Sequence, residues 1–130
     1  MKTTINIERS EDLFTAYATD SADGYTPAGY GQSVEEAIAD LNVCIAEMNE
    51  LRAQENLPPF PSELDFRYDI ESFFNKFSYL NISKVAQLAG INPSLMRQYA
   101  SGLTKAGQKQ YDKIRTAVNC IVRELSAATF

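Results

Sequence analysis

The sequence contains no histidine and only two cysteines, and these absences limit the chemistry that the chain can support. Histidine is the commonest general base and metal ligand, so a catalytic or metal site here would have to rely on carboxylates. Cys44 and Cys120 are far apart and neither belongs to a Cys-x-x-Cys motif. We therefore expect no structural zinc, no cofactor and no metal site, and we interpret both cysteines as buried free thiols.

The chain also lacks a run of about 18 apolar residues, which is the length that a transmembrane helix requires. Its first residues, Met1 to Ile5, are not followed by the apolar core of a signal peptide. We therefore expect a cytoplasmic protein with no membrane partner. A length of 130 residues is enough for one domain or for two very small ones.

Charge is distributed unevenly along the chain, although the net charge is only −5. Residues 1–65 carry 3 lysines and arginines against 13 acidic residues, which gives a net charge of −10. Residues 66–130 carry 9 against 4, which gives a net charge of +5. This division indicates two modules with different partners, and a nucleic acid would bind to the basic one.

The most informative stretch is residues 82–101, ISKVAQLAGINPSLMRQYAS, which predicts two short helices joined by a tight turn. Gly90 can adopt the positive φ that ends the first helix. Asn92 is suited to capping the second helix, and Pro93 is suited to its first turn. The second helix is therefore placed at about residues 93–101.

This second helix is predicted to be amphipathic. Its inward-facing side chains are apolar: Leu95, Met96 and Tyr99. Its outward-facing side chains are polar: Ser94, Arg97, Gln98 and Ser101. A polar edge of this kind is suited to base edges and phosphates in a DNA major groove.

The pattern resembles the helix-turn-helix of the Cro/XRE family. The residues that carry the resemblance are a small one four positions before the turn glycine, apolar ones around the turn, and a closing Ser-Gly pair: Ala86, Gly90, Val85, Ile91, Met96, Tyr99, Ser101 and Gly102. The resemblance implies an all-α DNA-binding domain over residues 69–130. Its recognition helix would be residues 93–101, and residues 105–125 would supply the next helix.

Within such a domain we expect Arg97 and Gln98 to contact bases, because arginine pairs well with guanine and glutamine with adenine. We expect Lys84, Ser94, Lys105 and Lys109 to hold phosphates. Each lysine taken singly is also explained by solubility alone. The complete set of candidate DNA-binding residues is Lys84, Asn92, Ser94, Arg97, Gln98, Ser101, Lys105 and Lys109.

Residues 1–68 predict three strands, a helix and a fourth strand, with the strands at about 2–8, 12–19, 25–31 and 64–68. Ser33 and Glu36 form a capping box that begins the helix, which runs to about Gln54. Its predicted apolar face comprises Val34, Ala37, Ile38, Leu41, Ile45, Met48 and Leu51. Its acidic face is either a solvated surface or a surface for a basic partner: Glu35, Asp40, Glu47 and Glu50.

The stretch from Phe14 to Leu41 resembles the N-terminal domain of HicB-type antitoxins. It has an aromatic strand followed by Gly29-x-Gly31-x-Ser33-x-Glu35-Glu36-Ala37. The resemblance implies a partial ribonuclease-H-like βββαβ fold over residues 1–68, and hence an α+β protein. It also implies a partner, a small HicA-type toxin that cleaves RNA.

Two further helices are predicted in the basic half. The first, residues 69–80, would begin the DNA-binding domain with a core stripe: Ile70, Phe73, Phe74, Phe77 and Leu80. The last, residues 108–125, carries apolar residues at alternating spacings of 3 and 4: Tyr111, Ile114, Val118, Ile121 and Leu125. These apolar residues could pack on the other helices or pair with a second copy of the chain. We favour a homodimer, or a higher homo-oligomer, with a contact involving residues 121–130.

The predicted function is that of an antitoxin-like transcriptional repressor of a type II toxin–antitoxin system, which would bind double-stranded operator DNA. An orphan regulator without a toxin is an alternative. A surviving ribonuclease-H-like nuclease is disfavoured, because its available carboxylates fall mostly at turns or exposed positions: Asp12, Asp20, Asp23 and Asp40. A third alternative is a purely structural module that binds protein through its basic half.

Overall fold

The computed structural model describes residues 2–21 and 24–130, and it shows a mixed α+β protein, as predicted. The chain divides into two compact units, Met1–Lys76 and Phe77–Phe130. Over the described residues the elements are β1 (Lys2–Ser10), β2 (Leu13–Ala18), β3 (Ala28–Gly31), α1 (Val34–Gln54), β4 (Glu63–Tyr68), α2 (Ile70–Lys76), α3 (Ile82–Ala89), α4 (Pro93–Ser101) and α5 (Gln108–Ser126).

The first unit contains a four-stranded sheet with the strand order β3-β2-β1-β4. β1, β2 and β3 pair in antiparallel fashion, because short connections join them in sequence. β4 is parallel to β1, because the chain crosses over through α1 before it returns to the sheet. The predicted order of the elements is confirmed, although β3 begins at Ala28 and not at Tyr25.

α1 begins where the capping box was predicted. The Ser33 hydroxyl accepts a hydrogen bond from the Glu36 backbone amide at 3.1 Å and donates one to the Glu36 carboxylate at 3.4 Å. The helix buries four of its predicted apolar residues against the sheet core: Val34, Ala37, Leu41 and Met48. The strand residues in that core are Ile5, Ile7, Phe14, Ala16 and Ala18.

The last turn of α1 buries a residue that the apolar pattern did not predict. Leu51 is 59% exposed, so its assignment to the buried face was wrong. Arg52 is buried in its place, because its Nε donates a hydrogen bond to the Pro58 carbonyl at 2.6 Å. The Phe60 amide donates to the Asn49 side-chain oxygen at 2.7 Å, and these bonds fix the proline-rich return to β4.

Two glycines in β3 allow α1 to lie unusually close to the sheet. A Cβ atom on Gly29 would overlap the backbone of α1 at the Leu41 amide and the Ala37 carbonyl. A Cβ atom on Gly31 would lie 2.6 Å from the Ala37 amide nitrogen. The Gly-x-Gly pattern is therefore required by backbone packing between β3 and α1.

α2 belongs to the first unit and is shorter than predicted. It ends at Lys76, and the predicted continuation to Leu80 is a turn. Asn75 accepts a hydrogen bond from the Val34 amide at 3.0 Å, which ties α2 to the start of α1. The division between the units therefore lies at Lys76–Phe77, eight residues after the predicted boundary at 68–69.

The second unit consists of α3, α4 and α5, of which α3 packs against both of the others. Its predicted bounds for α4 are confirmed, and α5 begins at the predicted Gln108 and ends at Ser126. Its buried apolar residues are Val85, Ala86, Ile91, Met96, Tyr99, Ile114 and Ala117. Among the described residues of both units, no helix combines the length and apolarity that a membrane crossing requires.

Candidate nucleic-acid interface

The connection between α3 and α4 is a tight turn fixed by its own backbone. Gly90 has a φ of +71°, and its amide donates a hydrogen bond to the Gln87 carbonyl. Asn92 then caps α4, because its side-chain oxygen accepts hydrogen bonds from the Ser94 amide at 2.8 Å and the Leu95 amide at 3.4 Å. The predicted glycine turn and asparagine cap are therefore confirmed.

α4 presents a buried apolar side and an exposed polar side. Met96 and Tyr99 are buried, as predicted, whereas Leu95 is only half-buried. Three polar residues are exposed on the other side: Ser94, Arg97 and Ser101. The exposed side of α4 is therefore available to a polar ligand.

Arg97 is held in place by two serine hydroxyls. One terminal nitrogen, Nη1, donates a hydrogen bond to Ser83 Oγ on α3 at 2.8 Å. The other, Nη2, donates to Ser94 Oγ, one turn earlier on α4, at 3.2 Å. Among the described residues these bonds use two of the five guanidinium N–H groups, so three are available to a ligand.

Gln98 is a weaker candidate for base contact than the sequence indicated. It is half-buried, and its side-chain oxygen accepts a hydrogen bond from the Thr104 hydroxyl at 3.0 Å. A bidentate contact with adenine requires both the oxygen and the nitrogen of the amide. Gln98 would have to release Thr104 to make that contact, so Arg97 is the better candidate for base recognition.

Asn92 and Ser101 also have their hydrogen-bonding groups partly committed to α4 itself. The side-chain oxygen of Asn92 caps the helix, which leaves its amide nitrogen for a phosphate. The Ser101 hydroxyl donates to the Gln98 carbonyl at 3.1 Å and retains its acceptor capacity. Both residues can assist binding, but neither presents a free pair of donor and acceptor groups.

The three predicted lysines lie at different places in the second unit. Lys84 is on α3, Lys109 is on α5, and Lys105 lies in the loop between α4 and α5. All three are exposed. Among the described residues none of them forms an ion pair with an acidic side chain, so each can reach an extended anion such as a nucleic-acid backbone.

The difference in charge between the two halves of the chain is also present between the two observed units. The second unit has seven lysines and arginines against two acidic residues, for a net charge of +5 over 54 residues. Both acidic residues, Asp112 and Glu124, are on α5. Residues 73–111, which include α3 and α4, contain no acidic residue at all. The exposed side of α4 is thus located in the most uniformly basic part of the chain.

Sequence reasoning missed three polar residues that organise this surface. Asn81 caps α3 by accepting a hydrogen bond from the Lys84 amide at 3.0 Å, and its position before an apolar helix was a usable signal. Ser83 and Thr104 contact Arg97 and Gln98 respectively. No local pattern predicts those two contacts, because they depend on how α3 and the loop after α4 pack against α4.

α5 ends with apolar side chains that are exposed in the isolated chain. Ile114 and Ala117 are buried, whereas Val122 is 54% exposed and Leu125 is 67% exposed. Phe130, four residues after the end of α5, is also fully exposed. Large apolar residues concentrated at one end of a helix are typical of a contact with another molecule.

The described carboxylates among those considered for a nuclease, Asp12, Asp20 and Asp40, belong to no metal-binding cluster. Among the described residues, no group of three or more acidic or cysteine side chains could hold a metal ion. Asp12 and Asp20 are exposed, and Asp23 lies outside the described residues. Asp40 accepts a hydrogen bond from the Tyr30 amide at 2.9 Å, so it satisfies a backbone group of the edge strand β3.

The acidic face of α1 is partly used within the first unit. Glu35 pairs with Lys76 at 3.4 Å, and Asp40 bonds to β3. Glu47 and Glu50 are exposed on the same helix. The first unit as a whole carries five basic residues against fifteen acidic ones, for a net charge of −10. Glu47 and Glu50 are therefore the members of this face best placed to meet a basic partner.

Two tyrosines have raised pKa values, and both cysteines are free thiols. Burial raises the pKa of Tyr68 above its ordinary value of 10.0. Burial, together with the hydrogen bond to Glu8, also raises the pKa of Tyr17. Cys44 and Cys120 are free thiols, as predicted. Each is only half-buried, although the sequence predicted that both would be buried. Both tyrosines and Cys44 lie in the first unit, outside the α3–α4 surface.

Comparison with known proteins returned no match, whether to a protein-family model, to a curated protein or to a solved structure.

Proposed function

We propose that the chain is an antitoxin-like transcriptional repressor of a type II toxin–antitoxin system. In this proposal the second unit binds operator DNA through a helix-turn-helix formed by α3 and α4. The first unit, with a partial ribonuclease-H-like fold, binds a HicA-type toxin. The two units thus have different partners, in keeping with their opposite charges.

The observation that carries the DNA-binding part is the state of Arg97. It is exposed on α4, it is held by hydroxyls on α3 and α4, and it retains unused donors. An arginine fixed in this way is suited to guanine, whose O6 and N7 accept two parallel hydrogen bonds in the major groove. The surrounding stretch without acidic residues favours a polyanion over a neutral or basic ligand.

A single copy of α4 would contact only a few base pairs, so we propose that the repressor acts as a homodimer. Two recognition helices would then enter successive major grooves about 34 Å apart. The proposed contact between the two copies is the exposed apolar end of α5, with Val122 and Leu125, together with Phe130 just after the helix.

The proposed toxin partner rests on the resemblance to HicB-type antitoxins and on the charge of the first unit. A net charge of −10 would steer a basic protein toward it, and the exposed Glu47 and Glu50 could form part of the contact. Mixing the full chain with a HicA-type toxin from a neighbouring gene tests this part. Binding that weakens with salt supports an antitoxin, and no binding leaves an orphan regulator.

The experiment that tests the DNA-binding part is selection from a randomised duplex library with the full chain. We expect a preferred site bound about 1,000-fold more tightly than random duplex, with affinity that falls as salt rises. Equal binding to all duplexes would contradict a repressor. Failure to bind any duplex would instead favour a module that binds protein through its basic half.

A further inference from the structure

We infer that Ser83 determines the DNA specificity of this chain by holding Arg97 in the conformation that distinguishes guanine from other bases. This inference rests on the proposed function. Ser83 does not have to touch a base to act in this way; it is a positioning residue that works through Arg97.

The geometry of the contact supports the inference. Ser83 is the second residue of α3 and Arg97 is the fifth residue of α4, so their 2.8 Å hydrogen bond crosses from one helix to the other. The bond from Arg97 to Ser94 is longer, at 3.2 Å, and lies within α4. Ser94 therefore moves with α4, whereas Ser83 fixes the guanidinium relative to a second helix.

The shape of the guanidinium explains why its orientation matters. Its N–H groups lie in one plane, and a bidentate contact with guanine requires that plane to match the plane of the base. A free arginine side chain would lose rotamer freedom on binding, and it could pair with phosphates as readily as with bases. Hydroxyl groups on two helices restrict the side chain before DNA arrives.

The cap of α3 keeps Ser83 in position. Asn81 caps the helix through the Lys84 amide, and Val85 and Ala86 are buried in the core of the second unit. Ser83 itself is half-buried. It therefore sits on a rigid first turn and not on a mobile loop, which is the condition for holding another side chain precisely.

The test compares base preferences of full-chain variants at the site selected by the wild-type protein. Arg97→Ala should abolish the preference for guanine at one position of each half-site. Ser83→Ala should reduce the preference at that same position about threefold to tenfold, which is the effect of one hydrogen bond. Ser83→Thr keeps a hydroxyl at this position and should restore the preference.

Two readouts separate positioning from a general effect on folding. Ser83→Ala should leave the salt slope and the affinity for random duplex unchanged, because no phosphate contact is removed. Ser78→Ala, an exposed serine of the same unit, should change neither the base preference nor the affinity. Thermal unfolding of each variant verifies that the second unit is folded.

The outcomes distinguish this inference from the proposed function. If the wild-type chain selects a site but Ser83→Ala keeps its full base preference, or weakens all sequences equally, the inference is overturned and the repressor remains. If Arg97→Ala weakens all sequences equally, Arg97 contacts a phosphate, and the inference is also overturned. If the wild-type chain selects no site, the proposed function fails and the inference fails with it.

Discussion

The Asp69 carboxylate accepts a hydrogen bond from the Arg9 backbone amide at 3.0 Å, between residues that are 60 positions apart in the chain. Its other oxygen accepts a hydrogen bond from the Ser72 amide at 2.8 Å, at the start of α2. The Asp69 amide in turn donates to the Ile7 carbonyl on β1. One residue therefore joins β1 to α2, which explains why α2 belongs to the first unit and not to the second.

Replacing Asp69 should destabilise the first unit. Asp69→Ala leaves the Arg9 and Ser72 amides without their acceptor, and we expect a loss of about 2–4 kcal/mol in the free energy of unfolding. Urea unfolding followed by circular dichroism measures it. Asp65→Ala is the control, because the Asp65 carboxylate is exposed and, within the described part of the chain, pairs with Lys2 at 3.7 Å. Equal effects of the two variants would contradict the assigned role.

The close approach of α1 to β3 makes Gly29 intolerant of any side chain. Gly29→Ala places its methyl group against backbone atoms of Ala37 and Leu41, which cannot rotate away. We expect a loss of about 2–3 kcal/mol or more in the free energy of unfolding. Gly107→Ala, where an added Cβ atom meets open space, should cost less than about 1 kcal/mol. A stable Gly29→Ala protein would show that the packing is looser than described.

The exposed end of α5 suggests a variant that would separate the proposed homodimer. The double variant Val122→Asp with Leu125→Asp puts two charges into the proposed contact, and we expect monomers in sedimentation velocity at micromolar concentration. Lys113→Ala on the same helix should leave the dimer intact. If the double variant sediments with the wild-type dimer, then α5 is not the contact. Circular dichroism should show unchanged helix content in both proteins.

Tyr68 should cause part of the stability loss at high pH. Burial favours its neutral form, so its contribution is complete below pH 10 and declines as pH rises through its raised pKa. Tyr68→Phe cannot ionise, so its free energy of unfolding should fall less steeply above pH 10. Tyr25→Phe is a control, because Tyr25 is 64% exposed. Parallel pH profiles for wild type and Tyr68→Phe would contradict this effect.

Much of the fold follows from local signals in the sequence. Ser33 and Asn92 cap helices, and Gly90 ends one, because capping and positive φ depend on single residues and their nearest neighbours. The errors occur where distant residues decide the outcome. The sequence predicts α2 in the second unit, whereas α2 belongs to the first. Asp69 and Asn75 form hydrogen bonds with β1 and with the start of α1, which are distant in sequence.

The candidate site was predictable in its residue types but not in its hydrogen bonds. Polarity alone identified the exposed side of α4, including Arg97. Polarity could not show that the Gln98 side-chain oxygen accepts a hydrogen bond from Thr104, or that Arg97 donates one to Ser83. Both bonds depend on how separate segments of the chain pack against α4. Helical spacing likewise placed Leu51 in the core, where the bond from Arg52 to Pro58 instead buries Arg52.

The central claim is that the exposed side of α4 recognises operator DNA, and one paired comparison tests it most directly. Fluorescence anisotropy would follow binding of wild type, Arg97→Ala and Lys109→Ala to DNA from upstream of the chain's own gene, across a salt series. We expect Arg97→Ala to abolish the preference for this DNA over random duplex.

Lys109→Ala should instead weaken binding to all sequences and reduce the salt slope by about one, as expected for a lost phosphate contact. This pair of results would establish base recognition by Arg97 and phosphate binding by Lys109. Wild-type protein that shows no preference for this DNA at any salt concentration would contradict operator binding at the chain's own gene. The first unit and its protein partner would then be the basis of the molecule's function.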